Sequence, residues 1–186
     1  CSSHKICRYY LDYLNRYTCV LDGVDSVLTG ITGSHYLTFS DVDVKRVYFV
    51  NSKLRKIPNI LFEKFVNLEF LYIRECSLGI INDQTFNECG NLRTLDASYN
   101  NIIHISETAL RNCTKLEKID MTGNPVDYVS NDLYILDPSL KEIFFNRIDD
   151  FTLNWDVKWT LNDLFFIFQL QMLLIVARDE ENIRFC

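Results

Sequence analysis

The sequence predicts an α/β chain built as a solenoid of about five stacked coils, and three observations carry that reading. The first is a period: Val44, Leu68, Leu92, Leu116 and Leu140 follow one another at steps of 24 residues. Two more columns keep the same step, Val47, Leu71, Leu95, Ile119 and Ile143, then Phe49, Ile73, Ala97, Met121 and Phe145, and all fifteen residues are apolar. The second is the local spacing, in which alternation around the middle of each unit spells a short strand with one face buried. The third is a polar column, Ser52, Cys76, Asn100 and Asn124, set among the apolar ones, at Leu54, Leu78, Ile102 and Val126 and at Ile57, Ile81, Ile105 and Val129. A polar side chain forced inward must satisfy backbone groups that the turn leaves unpaired. A last large apolar column, Phe62, Phe86, Leu110 and Tyr134, closes each coil over its neighbours, so the stack shares one core.

These units resemble the leucine-rich repeat, L-x-x-L-x-L-x-x-N/C-x-L, in its 24-residue form, from Val44 to about Leu153. The resemblance implies a right-handed leucine-rich-repeat solenoid with a curved parallel sheet of about five strands. In the second unit Cys76 occupies the Asn slot, where a thiol is an accepted substitute. The fifth unit departs from the pattern, with Ile148 in the Asn slot and Asp150 at the next apolar position. That departure marks the end of the array, because a terminal coil meets no neighbour on one side. The chain therefore divides into a cysteine-bearing cap over 1–43, repeats over 44–153 and a tail over 154–186.

In the cap, Tyr17-Thr18-Cys19-Val20-Leu21, Val27-Leu28-Thr29-Gly30-Ile31 and Tyr36-Leu37-Thr38-Phe39 read as strands, punctuated by Gly23, Gly30 and Gly33. The segment is similar to the amino-terminal cap of secreted insect leucine-rich-repeat proteins, in which a Cys…Tyr-Thr-Cys hairpin precedes a Gly-x-His turn and then Asp-Val. Here those residues are Cys7, Tyr17, Thr18 and Cys19, then Gly33 and His35, then Asp43 and Val44. The resemblance implies a disulfide between Cys7 and Cys19, worth roughly 3 kcal/mol for a loop of about a dozen residues in the chain-entropy model. The rival is a metal bound by His4, Cys7 and Cys19, for which no second closely spaced pair completes four ligands.

In the tail, Leu164 to Ala177 is almost wholly apolar, and Asp163 is a candidate N-cap. As a helix the run spans about 21 Å, short of the roughly 30 Å of a bilayer core, so no transmembrane segment is expected. Arg178, Asp179, Glu180, Glu181 and Arg184 follow it, against a terminal lipid-anchor signal. Three roles stay open: a helix capping the last coil, association with a second copy or another chain through 161–186, and membrane contact.

The composition is globular, with 48% apolar, 24% charged and 13% aromatic residues. A net charge of −6 gives no long-range attraction for phosphate backbones, so no nucleic-acid partner is expected. Seven cysteines are many for a cytosolic chain of this size and point to an oxidising, extracellular compartment. Cys89 and Cys113 share one repeat slot, which Phe65 fills in the first unit. Stacked coils would bring them within bridging distance, yet the slot is apolar by precedent, and two buried thiols are the favoured reading. Cys1 and Cys186 are left at opposite ends, and Cys186, directly after the apolar tail, is the candidate for an interchain bridge. A chain that does not begin with Met fits removal of a signal peptide. Asn112-Cys113-Thr114 is an N-glycosylation sequon, with Asn112 as acceptor.

The strands' outward residues make candidate binding columns. Tyr48, Phe70 and Tyr72 form an exposed aromatic cluster towards the amino end, with Arg74 beside it and Tyr99 at the rim column of Asn51, Glu75, Tyr99, Gly123 and Arg147. Asp96, Asp120 and Phe144 extend it. Tyr and Arg are enriched at binding hot spots, while cross-strand aromatic pairing alone would also account for the cluster. Asp96 beside Asp120 reads as a solvated acidic patch rather than a metal or acid/base site. Five strands make a sheet only about 24 Å wide, offering less than half of the roughly 800 Å² that a standard interface takes from each partner. No Gly-rich phosphate loop, G-x-S-x-G or H-E-x-x-H occurs, and His4, His35 and His104 stand apart, with His104 at the rim, so neither catalysis nor a cofactor is expected. The resemblance adds mosquito leucine-rich-repeat immune factors, which form disulfide-linked complexes through a coiled coil and hold a complement-like protein. The tail here has room for at most about two heptads. The expectation is a secreted module that binds another extracellular protein, with innate-immune recognition as one role and a structural or adhesive one as the alternative.

Overall fold

A computed structural model describes residues 2–25, 27–81, 86–106, 108–126, 128–129 and 142–144. Three cap strands, β1 (Ser2–Leu11), β2 (Tyr17–Asp22) and β3 (Val27–Thr32), precede a 3-10 turn at Asp41–Asp43. The coils then contribute β4 (Arg46–Val50), β5 (Phe70–Tyr72), β7 (Thr94–Asp96), β9 (Lys118–Asp120) and β11 (Glu142–Phe144) to one sheet. On the return path lie a short helix α1 (Ile60–Lys64) and three two-residue strands, β6 (Ile80–Ile81), β8 (His104–Ile105) and β10 (Tyr128–Val129).

The main sheet has eight strands in the order β11-β9-β7-β5-β4-β2-β1-β3, and the return strands make a second sheet, β10-β8-β6. From β4 to β11 neighbours are parallel and in register at 24-residue steps: Arg46 pairs with Phe70, Phe70 with Thr94, Thr94 with Lys118 and Lys118 with Glu142. The cap joins without a break, since β2 pairs parallel to β4 with Thr18 opposite Arg46 and Val20 opposite Tyr48. β1 then runs antiparallel to β2, and β3 parallel to β1. The five-strand width expected from the repeats is therefore an underestimate: eight strands at the usual spacing make a sheet about 38 Å wide.

The apolar columns are the core. Val44, Leu68, Leu92 and Leu116, with Val47, Leu71, Leu95 and Ile119, are each 2% exposed or less. Cys19, Leu21, Val24 and Leu28 continue the same core into the cap. The polar column works as a ladder. Asn100 Oδ1 accepts from the Cys76 and Leu78 amides of the preceding coil, while its Nδ2 donates to the Ile73, Ala97 and Ser98 carbonyls at 2.7–3.1 Å. Asn124 repeats this one coil later on Ile102, Ala97 and Met121. In the first coil Ser52 Oγ accepts from the Val24 amide and donates to the Val50 carbonyl. Cys76 is a buried free thiol whose Sγ donates to the Arg74 carbonyl, and burial pushes its pKa up to about 11.

Cys7 and Cys19 form a disulfide, which disposes of the metal reading for His4. The His4 ring instead lies over Gly30, where a Cβ would collide with it. Among the described residues no cluster of three or more His, Cys, Asp or Glu could hold a metal ion. Cys89 and Cys113 also form a disulfide, contrary to the expectation of two thiols. Stacking sets their Cα atoms 4.7 Å apart, within bridging span, and the apolar slot closes over the bond. Ile148, Asp150, Cys1, Cys186, the domain boundary near 153 and the tail helix lie outside the described residues. Among those described, no helix is long and apolar enough to cross a membrane.

Candidate protein-interaction surface

On the main sheet the residues facing away from the core form rows that run across the strands. One row reads Thr18, Arg46, Phe70, Thr94 and Lys118, and the next Val20, Tyr48, Tyr72, Asp96, Asp120 and Phe144. The cap lengthens them, because Tyr10 pairs with Thr18 and Arg8 with Val20. Tyr48, Phe70, Tyr72, Asp96, Asp120 and Phe144 therefore share one face of the sheet, and Arg147 lies outside the described residues.

The amino half of this face differs from expectation. Tyr48 and Tyr72 stack with centroids 4.4 Å apart, but both are half-buried, as is Phe70, rather than exposed. Arg46, which points outward by phase, is only 6% exposed. The β1–β2 hairpin loop reaches Arg46 and Phe70 from the cap side. Asp12 ties the loop down: its Oδ1 accepts from the Leu14 and Arg16 amides, and its Oδ2 from Arg16 Nε at 3.0 Å and Arg46 Nη1 at 2.8 Å. The guanidinium of Arg46 lies 5.1 Å from the Phe70 ring and 5.4 Å from that of Tyr72, and Arg16 sits 4.8 Å over Phe70. Burial pushes the Asp12 carboxyl upward, but hydrogen bonds from the Arg16 and Leu14 amides and the Arg16 side chain outweigh it and hold the carboxyl below its ordinary range. Burial pushes the Tyr72 phenol up. The tip itself is apolar and open, with Tyr13 88% exposed.

The carboxyl half is plainer. Asp96 Oδ1 accepts from the Ser98 amide and hydroxyl, and Asp120 Oδ1 from the Thr122 amide, so each carboxylate caps the end of its own strand. Both are half-buried and adjacent in register, and Lys118 Nζ lies 4.6 Å from the Phe144 ring.

At the rim, the column after each strand turns left-handed: Asn51, Glu75, Tyr99 and Gly123 have φ of 48°, 55°, 54° and 79°. Tyr99 is 49% exposed, and Arg74 lies over its ring at 4.1 Å. Asn112 is exposed, its Nδ2 donating to the Asn87 carbonyl.

Sequence reasoning missed two clusters in the cap. One is the Asp12 clamp, whose Asp-x-Leu-x-Arg spacing is a recognisable side-chain-capped turn. The other joins cap to first coil: Tyr17 OH contacts His35 Nδ1, His35 Nε2 faces Asp41, and Asp41 also takes the Tyr9 hydroxyl and Lys64 of α1. Burial, then the charge of Asp41, raises the Tyr9 phenol above its ordinary range. Gly33 is needed there, because at φ 150° a Cβ would meet the Cys7 carbonyl oxygen at 2.5 Å.

A leucine-rich-repeat family model matches residues 66–126. Among curated proteins the chain is similar to the probable U2 small nuclear ribonucleoprotein A' of Caenorhabditis elegans, 30% identical over 102 residues, and to the Candida albicans U2 small nuclear ribonucleoprotein A', 28% identical over 101. It spans 40% and 43% of their lengths, and the matches cover 53% of this chain. Among solved structures it is similar to the Toll–Spatzle complex of Drosophila (TM-score 0.51, 15% identity, 65% of this chain and 20% of the other). It is similar also to the LRIM1/APL1C complex (TM-score 0.50, 19% identity, 77% and 31%) and to the APL1 leucine-rich-repeat domain (TM-score 0.50, 20% identity, 77% and 43%). At these identities the structural likeness speaks for the leucine-rich-repeat fold alone.

Proposed function

We propose that this chain is a leucine-rich-repeat module that binds another protein outside the cell, in recognition of the innate-immune kind. The observation that carries the reading is the pairing of two disulfides, Cys7–Cys19 and Cys89–Cys113, with a continuous outward sheet face rich in Tyr and Arg. Both disulfides suit an oxidising compartment, and the Toll–Spatzle and LRIM1/APL1C structures are protein complexes built on the same fold. Binding would use Tyr48, Phe70, Tyr72, Arg74, Asp96, Tyr99, Asp120 and Phe144. No reaction or cofactor enters the proposal.

The test is capture from extracellular fluid on the immobilised chain, with Phe70→Ala and Tyr72→Ala as variants. Both should weaken capture of the recovered partner while circular dichroism stays native; unchanged affinity sinks the face as the binding site. Association through 161–186 and a Cys186 bridge is part of the same proposal: a monomer on gels and by solution mass, with and without reductant, removes it. A glycosidase-sensitive mass on the secreted protein that disappears in Asn112→Gln would support glycosylation at Asn112.

A second reading follows from the 30% identity to a U2 small nuclear ribonucleoprotein A', which would make the chain part of an intracellular assembly. Free-thiol titration of protein from its source separates the two. At least four protected cysteines favour the extracellular module, and full reactivity in denaturant without reductant favours the other.

A further inference from the structure

Tyr99 occupies a backbone conformation that costs a bulky aromatic residue free energy. At φ 54° it lies in the left-handed region, where Gly and Asn are the low-cost residues. In the same column Gly123 one coil later and Asn51 two coils earlier take it at low cost, and Glu75 takes it at φ 55° with a flexible, unbranched side chain in place of a ring. Left-handed geometry at this position is therefore demanded by the coil, and the aromatic ring is not. Nor does the ring serve the core, since Tyr99 is 49% exposed.

The ring is nevertheless held in place. On one side the Arg74 guanidinium lies 4.1 Å from its centroid. On the other Gly123 makes room for it, since a Cβ there would meet Tyr99 Cδ1 at 2.8 Å. An exposed aromatic residue fixed in advance loses little entropy on binding, which is the property of an anchoring side chain.

Charge says what the anchor faces. Four arginines gather on the amino half of the face, Arg8, Arg16, Arg46 and Arg74. Asp12 consumes Arg16 and Arg46. Arg8 and Arg74 keep 67% and 53% of their side chains exposed, each against one exposed carboxylate, Asp22 or Glu75. Exposed pairs of this kind are weak and exchangeable. Asp96 and Asp120 face out from the other half beside Lys118, so the exposed guanidinium groups that could take a carboxylate lie on the amino side.

We infer that Arg74 and Tyr99 form the principal anchor of the protein-binding face and take a peptide segment of the partner that sets a carboxylate on Arg74 and an apolar side chain on Tyr99. The inference rests on the protein-binding reading and moves its centre from the half-buried Tyr48–Phe70–Tyr72 platform to the exposed rim. Strain at an exposed residue with no structural duty is conformational energy held for recognition.

The experiment uses the full chain and a phage-displayed library of short random peptides. Wild type should enrich sequences pairing Asp or Glu with a large apolar residue. For a synthetic peptide from that pool, Tyr99→Asn and Arg74→Gln should each weaken binding by roughly tenfold or more. Glu75→Gln, which removes the competing carboxylate, should tighten it. Tyr99→Asn should melt no lower than wild type, because Asn51 shows that the column accepts it. A fall of more than about 5 °C in that variant would make the ring structural and overturn the inference. Enrichment that survives Tyr99→Asn and Arg74→Gln but is lost in Tyr72→Ala overturns the anchor and leaves the binding face standing. No enrichment on wild type overturns both.

Discussion

The two halves of the sheet face are built on opposite plans. On the cap side, outward residues are committed to one another: Asp12 holds Arg16 and Arg46, which lie over Phe70, while Tyr48 stacks on Tyr72. On the far side, Asp96 and Asp120 accept from the turn that follows their own strand, and cohesion comes from below, through the Asn100 and Asn124 ladder and the Cys89–Cys113 bridge. The cap half adds a side-chain cluster on its open face to the ladder that Ser52 begins, while the far half relies on the Asn ladder and one buried bridge. An identical coil fold can thus be stabilised from its open face or from its interior.

Perturbations should respect that division. Replacing Cys89 and Cys113 together by Ala should cost about 3 kcal/mol, from the loss of a cross-link closing a loop of 24 residues. Urea denaturation measures the total, and hydrogen exchange should locate the loss in the second and third coils. Arg46→Met should cost about 2–3 kcal/mol by leaving Asp12 short of one buried partner, with faster exchange in β1, β2 and β4. If exchange rises equally across the molecule in both variants, the division is wrong. Asn100→Ala should cost about 2 kcal/mol, since it strands several buried backbone groups at once; a smaller loss than for Ser52→Ala would undo the ladder as the far half's support.

Acid offers a gentler probe. Asp12 is held below its ordinary range, so its contribution to stability is present above the unfolded value of about 3.9 and is lost as the pH falls through the lower folded value. Exchange in the hairpin should therefore rise before that of the far coils in an acid titration, and the Asp12→Asn variant should lose that order. The smallest effect concerns Cys76. With its thiol pushed up to about 11, it should resist iodoacetamide in the native protein at pH 8 and react promptly in urea.

The periodic part of the molecule was legible in its sequence because translation along the stack puts residues 24 apart in one environment. Val47, Leu71, Leu95 and Ile119 could be assigned inward from each other, and so could the Asn slot with its Ser and Cys substitutes. The outward columns followed from the same phase. Their exposure did not, since it depends on Asp12, which belongs to no column and acts through a loop. Width failed similarly: β2 pairs in register with β4 and carries β1 and β3 beyond it, but none of the three has the repeat, so the pattern stopped counting at Val44. Cys89 and Cys113 show the limit of precedent. Phe65 in the shared slot reports that the site is apolar, which describes a buried disulfide and a buried thiol equally well. Tyr99 was found as a rim aromatic, but its left-handed backbone became visible only beside Gly123 and Asn51.

The Cys89–Cys113 bridge also bears on how such a chain can change in length. Coils made of identical hydrogen bonds are interchangeable, and a gene could gain or lose one 24-residue unit with the ladder re-forming across the junction. A bridge between successive coils ends that freedom for the pair, because deleting either coil strands a cysteine inside the core. The second and third coils should therefore be gained or lost as one block, and variation in repeat number should fall on either side of them.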